Sequence, residues 1–74
     1  MLEPGNPPVA LQKELVDRVY QRTGRRVRNL SVELRPDGVV LYGRAPSFHV
    51  KQLAQQGIRD VLPQVELLNA IVVG

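Results

Sequence analysis

The sequence predicts an α+β fold, a two-layer αββαβ sandwich in which two helices pack on one face of a three-stranded mixed sheet. Three observations predict it. Two segments carry apolar residues at helical spacing, three others have the apolar content or alternation of strands, and glycine and proline separate them. The 74 residues suffice for one small domain. We expect that domain over residues 9–74, after a flexible lead-in at residues 1–8 that carries three prolines and a glycine.

The first helix is expected over residues 9–23. Its apolar side chains share one arc of the helical wheel, with Gln12 as the polar exception. Gly24 is placed to end the helix, because glycine adopts the left-handed conformation of a C-cap without steric penalty. The arc is made by Leu11, Leu15, Val16 and Val19.

Two strands are expected next, over residues 27–35 and 39–44. In the first, Leu30, Val32 and Leu34 alternate with polar residues, which is typical of a sheet with one buried face. The turn between them is Pro36-Asp37-Gly38, where proline presets its own φ and glycine is expected to adopt a positive φ. The two strands should therefore form an antiparallel hairpin.

The second helix is expected to start after Pro46, with Ser47 capping the amides of its first turn. Gly57 lies within its apolar arc. Because glycine costs about 1 kcal/mol relative to alanine inside a helix, we expect the helix backbone to lie close against the sheet there. Pro63 ends this helix, and a nearly all-apolar last strand is expected over residues 65–73.

The composition argues against an enzyme. The chain has no cysteine, which excludes disulfides, iron–sulfur clusters and thiolate metal sites. Its single histidine, His49, excludes a histidine-based metal cluster within one chain. Ser47 is explained by capping, and no Walker-type or GxGxxG loop is present. We therefore expect no catalytic residue, cofactor or metal.

The sequence alone does not place the chain in a cellular compartment. No stretch approaches the roughly 18 to 20 consecutive apolar residues of a membrane span. Residues 1–5 have neither the basic segment nor the apolar run of a signal peptide. An export signal would have to lie on a parent chain.

One candidate contact surface is the sheet face that the helices leave open. Strand alternation sends several apolar side chains toward it, which would make a patch suited to a partner or to self-association. The alternatives are a different strand register, or coverage of the patch by Glu33, Arg35 and Arg44. The residues expected on this face are Val40, Tyr42, Leu68, Ala70 and Val72.

Two further candidate surfaces are basic. Five of the ten basic residues lie within one short segment that no acid interrupts, namely Arg18, Arg22, Arg25, Arg26 and Arg28. This segment would attract the phosphates of lipid or nucleic acid, unless it is a solvated helix end whose carbonyls favour cations. The other surface is the tip at Phe48, near Arg44 and Lys51, where an aromatic ring among cations suits a lipid interface. Alternatively, Phe48 folds back over the first helix or the lead-in.

The chain resembles BON domains. Gly38–Ser47 looks like their strand, glycine and helix start, Lys51–Ala54 is similar to their second helix, and Val61–Val73 resembles their closing strand. This resemblance covers about residues 9–73. It implies an αββαβ fold without catalytic residues, with Gly43 as the family's structural glycine. BON domains occur in bacterial envelope and periplasmic proteins, where they are thought to bind phospholipid membranes or to mediate contacts within assemblies.

The leading expectation is therefore a non-enzymatic binding domain that contacts an anionic phospholipid surface or an envelope protein, with a periplasmic or envelope location implied by the resemblance. A second is an assembly module that forms a homo-oligomer through the open sheet face or through the apolar edge of the last strand. Nucleic-acid binding is a third. It is disfavoured because the sheet lacks paired aromatic residues and the chain lacks the GxxG loop of KH domains.

Overall fold

A computed structural model describes residues 6–74, with side chains from Ala10 onward. It confirms the predicted α+β class, with two helices and a mixed sheet. The elements in chain order are α1 (Asn6–Thr23), β1 (Arg28–Arg35), β2 (Gly38–Ala45), α2 (Phe48–Val61), β3 (Leu67–Asn69) and β4 (Val72–Val73).

The sheet is built around β2. Strand β1 pairs with it in the antiparallel sense, and β3 and β4 pair with its other side in the parallel sense. Val39 pairs with Leu67 and Ala45 pairs with Val73, the same offset at both ends. Strands β3 and β4 are therefore two parts of one path. The last strand, predicted as continuous, starts at Leu67 and is interrupted between Asn69 and Val72.

The core lies between the helices and one face of the sheet. Apolar positions predicted from the periodicity fill it, and each buried Val, Leu or Ile contributes about 1.5–3 kcal/mol. Gln12 donates a side-chain hydrogen bond to the carbonyl of Val32, so the polar residue in the apolar arc ties α1 to β1. The fully buried core residues include Leu15, Val19, Leu41, Ala45, Ala54 and Ile58.

Helix α1 begins at Asn6, earlier than the sequence predicted. Pro7 and Pro8 fit its first turn, because the backbone N–H that proline lacks has no partner within the helix there. Residues 6–8 of the expected lead-in therefore belong to α1, and residues 1–5 lie outside the described residues. At the other end, Gly24 adopts a φ of 62°, which confirms the predicted C-cap.

Ser47, Gly57 and Gly38 each have a structural role, as predicted. The physical reason for glycine at positions 57 and 38 differs from the predicted one. The Ser47 hydroxyl accepts a hydrogen bond from the Val50 amide at 3.2 Å, as expected of a cap. A Cβ on Gly57 would lie 2.9 Å from Cα of Val19, so α2 closely approaches α1 here and not the sheet. Gly38 has no positive φ, and a Cβ there would lie 2.5 Å from the carbonyl oxygen of Glu66. The expectations for Gly57 and Gly38 were therefore wrong about the physical reason, which is close backbone approach.

Candidate functional site

Four arginines line one depression where β2 ends, and we call them the basic end. Three chain segments supply them: the connection after α1, the start of β1 and the end of β2. Ala45, Pro46 and Gly74 complete the lining, and no acidic side chain takes part. Among residues 10–74, no acidic side chain lies within ion-pair distance of the four. The basic end consists of Arg25, Arg26, Arg28 and Arg44.

A β-bulge places Arg28 in this group. The pairing register shifts between Arg28 and Ser31, and Asn29 takes a positive φ of 54°. The extra residue in β1 brings Arg28 opposite Arg44. Gly43 makes the approach possible, because a Cβ there would lie 2.7 Å from a methyl carbon of Val27 and 3.0 Å from the Arg28 carbonyl oxygen. The structural role expected of Gly43 thus serves the basic end directly.

Local contacts hold two of the four arginines in place. The guanidinium carbon of Arg25 lies 4.9 Å from the centre of the Tyr20 ring, a cation–π contact. The Arg25 amide also donates to the Tyr20 carbonyl at 3.0 Å, which closes the end of α1. Nε of Arg26 donates to the Thr23 carbonyl at 3.0 Å. Since a guanidinium has five N–H donors, most donors of both side chains stay available to an anion.

The other two arginines of the sequence cluster lie elsewhere. Arg22 donates two hydrogen bonds of 2.7 Å to the Asp60 carboxylate on α2, and Arg18 approaches the same carboxylate at 3.5 Å. The hydrogen bonds from Arg22 hold the pKa of the Asp60 carboxyl below its usual value. Arg18 and Arg22 therefore join the two helices and do not line the basic end. The five-residue cluster is split by its tertiary contacts.

The open sheet face exposes three of its five predicted residues. Leu68 is 61% exposed, Val72 54% and Tyr42 37%, and we call these three the open-face strip. Val40 shares their face by register but is only 4% exposed, so it cannot serve as a contact residue. Ala70 is half-buried.

The β1 side of this face is polar. Glu33 accepts hydrogen bonds from the Tyr42 hydroxyl at 2.9 Å and from Arg35 at 3.2 Å. These bonds, with Arg35 the larger influence, lower the pKa of the Glu33 carboxyl. Glu33 lies opposite Val40 in the register, so polar side chains flank the apolar strip on one side only.

The open-face strip and the basic end adjoin. Val72 pairs with Arg44, and Arg44 pairs with Arg28. Paired residues of neighbouring strands project to the same face of a sheet. Exposed aliphatic side chains and arginines therefore form one continuous surface. The pairing of Arg28 with Arg44 could have been anticipated from the sequence. The short Pro36-Asp37 turn sets a hairpin register that brings Arg44 within one residue of Arg28.

The Phe48 tip is a separate surface. Phe48 is 61% exposed, so the described residues do not cover its ring. It lines an open groove along α2 that also includes Lys51 and Asn69 and none of the basic-end arginines. The structure therefore does not combine Phe48 and Lys51 with Arg44 in one site.

The outer edge of the β3–β4 path is partly occupied by a side chain. Nδ2 of Asn69 donates to the Lys51 carbonyl at 3.0 Å, and its Oδ1 accepts from the Ile71 amide at 3.2 Å. Backbone groups alternate in direction along a strand, and Ala70 bonds to β2. The Ile71 amide thus points away from β2, to the edge where a further strand would pair. Asn69 satisfies it there, which weakens the expectation that this edge recruits another strand.

Metal-binding clusters and membrane-spanning helices are both absent from the part of the chain that the structure describes. No three His, Cys, Asp or Glu side chains of this part lie close enough together to hold a metal ion. Neither of its helices combines the length and the apolar character needed to cross a bilayer.

Comparison with protein-family models, with curated proteins and with solved structures found no match to this chain. The resemblance to BON domains therefore stays a prediction.

Proposed function

We propose that the chain is a non-enzymatic domain that binds anionic phospholipid surfaces, with the basic end as its electrostatic contact. One observation carries the proposal: four arginines from three segments converge on one depression that no acidic side chain lines. Guanidinium groups match the phosphate group in shape and can bind it through two parallel hydrogen bonds. A headgroup layer offers many phosphates at once, so a spread of arginines suits it.

The size of the electrostatic term is sufficient for reversible binding. A basic side chain close to an anionic membrane contributes about 1 kcal/mol. Four of them contribute about 4 kcal/mol, and since each 1.4 kcal/mol is tenfold, they raise partitioning by roughly three orders of magnitude at low salt. Salt screens such exposed charges over a Debye length of about 10 Å at 0.1 M. Binding should therefore weaken as ionic strength rises.

The surroundings of the basic end favour lipid over nucleic acid. Single-stranded nucleic acids bind sheets through aromatic side chains on which bases stack. The aromatic residue on this sheet is Tyr42, whose hydroxyl is hydrogen-bonded to the Glu33 carboxylate. The neighbouring exposed side chains, Leu68 and Val72, are aliphatic and offer no ring on which a base could stack.

A second candidate function is an assembly module that contacts an envelope protein or a second copy. It is favoured by the exposure of Leu68 and Val72, each more than half accessible. In that case Tyr42→Arg or Leu68→Glu should reduce self-association without unfolding the domain. Light scattering on a size-exclusion column measures the effect, and oligomers retained in both variants would count against this candidate.

Flotation of the 74-residue chain with lipid vesicles tests the leading proposal. We expect it to float with phosphatidylcholine vesicles that contain phosphatidylglycerol, to float less at high salt, and not to float with phosphatidylcholine alone. Absence of flotation with anionic vesicles at low salt would refute the proposal, as would equal flotation with neutral ones. Salt-sensitive binding to RNA without flotation would support the nucleic-acid alternative instead.

A further inference from the structure

The geometry points to one orientation on the membrane: the open sheet face lies on the bilayer, with the open-face strip at the boundary between headgroups and acyl chains. Arg28 and Arg44 meet lipid phosphates beside it, and both helices face away from the lipid. This inference rests on the proposed function and adds which face makes contact and which residues enter the apolar layer.

The sheet presents its most exposed aliphatic side chains on a single face. Leu68 and Val72 are the most exposed aliphatic side chains of the sheet, at 61% and 54%. Leu68 pairs with Val40 and Val72 with Arg44, so both project to the face that the helices leave open. Val40 is buried beneath this surface. The aliphatic groups are thus presented outward on a supported sheet and not on a loop.

The charges on the open face complement those of an anionic lipid surface. Arginines stand on the open face at both ends of β1, and Arg44 stands beside Arg28 on β2. The acid of β1 on this face, Glu33, is paired with Arg35 at 3.2 Å. The face is therefore positive at the basic end, next to the exposed aliphatic side chains, as an anionic lipid interface requires. Asp37 and Glu66 lie at the opposite end of the sheet, away from Arg28 and Arg44.

The area of the open face is small for a stable protein dimer. Three strand positions at about 4.8 Å spacing and about seven residues at 3.3 Å each cover roughly 300 Å². A standard protein interface buries about 800 Å² on each partner. A membrane imposes no such requirement, because a few inserted side chains act together with the charges around them. The area thus favours lipid over a second copy as the occupant.

Single-tryptophan variants test the orientation, because the chain has no tryptophan of its own. Leu68→Trp reports on the open-face strip, Phe48→Trp on the Phe48 tip at the start of α2, and Gln21→Trp on an exposed position of α1. Each is mixed with phosphatidylglycerol-containing vesicles, with and without bromine on the acyl chains. We expect a blue shift and quenching by bromine for Leu68→Trp alone, with the other two emissions unchanged.

The same variants are floated so that the two proposals fail separately. If they float but Leu68→Trp is neither shifted nor quenched, the orientation is refuted and membrane binding stands. Quenching of Phe48→Trp, in place of Leu68→Trp, would assign the membrane contact to the Phe48 tip. A blue shift of Leu68→Trp without vesicles, together with a dimer in light scattering, would assign the face to a second copy. Absence of flotation in the unsubstituted chain would refute both proposals.

Discussion

Removing two charges from the basic end should weaken membrane binding far more than removing two charges elsewhere. Arg28 and Arg44 come from different strands and have no acidic partner among residues 10–74. At about 1 kcal/mol each, the double variant Arg28→Gln/Arg44→Gln loses about 2 kcal/mol. Since 1.4 kcal/mol is tenfold, vesicle partitioning at low salt should fall roughly 30-fold. A titration with phosphatidylglycerol-containing vesicles measures it.

The matched control is Lys13→Gln/Arg18→Gln, which changes the net charge by the same amount. Lys13 and Arg18 lie on α1 beside Glu14 and Asp17, away from the basic end. Asp60 keeps its two hydrogen bonds from Arg22, so the control should remain folded, which thermal melting checks. Equal loss of partitioning in both double variants would show that net charge alone drives binding. That result would refute the assignment of the basic end.

Two further predictions concern the contact between α1 and α2. Gly57→Ala should destabilise the domain by up to about 2 kcal/mol, because overpacking costs about 1–3 kcal/mol and helix propensity returns about 1 kcal/mol. The melting temperature of Gly57→Ala should fall by about 4–8 °C per kcal/mol. The control Gln56→Ala, at the exposed neighbouring position, should melt near the unsubstituted chain. If Gly57→Ala and Gln56→Ala melt at the same temperature, α1 moves aside at no cost. The pKa of the Asp60 carboxyl is lowered in the folded state. Its ion pairs therefore stabilise the fold at pH values above the usual carboxyl pKa of about 3.9. This stabilisation is lost as the pH falls through the folded-state pKa. Asp60→Asn should therefore have a lower melting temperature than the unsubstituted chain at pH 7. The two melting temperatures should converge as the pH drops below the usual carboxyl range. A difference in melting temperature that does not depend on pH would contradict the ion-pair explanation.

The type and order of the elements followed from the sequence alone, as did most of the core, whereas the division of the last strand into β3 and β4 did not. These features depend on local chemistry, since periodicity, capping and turn formation involve residues close together in the chain. Ser47 and Gly24 could thus be recognised as caps from their neighbours in the chain. Strand alternation likewise placed Leu68 and Tyr42 on the open face, because successive residues of a strand point to opposite sides.

The composition of the candidate site was decided by the tertiary structure. Arg22 pairs with Asp60, which lies 38 residues away along the chain, and this contact removes Arg22 from the basic cluster that the sequence displays. Arg44 enters the site because a bulge in β1 brings Arg28 opposite it. Gly57 is required by α1 and not by the sheet. Each of these contacts joins segments that are distant in the sequence, so it depends on how the packed elements are placed in space, which local periodicity does not encode.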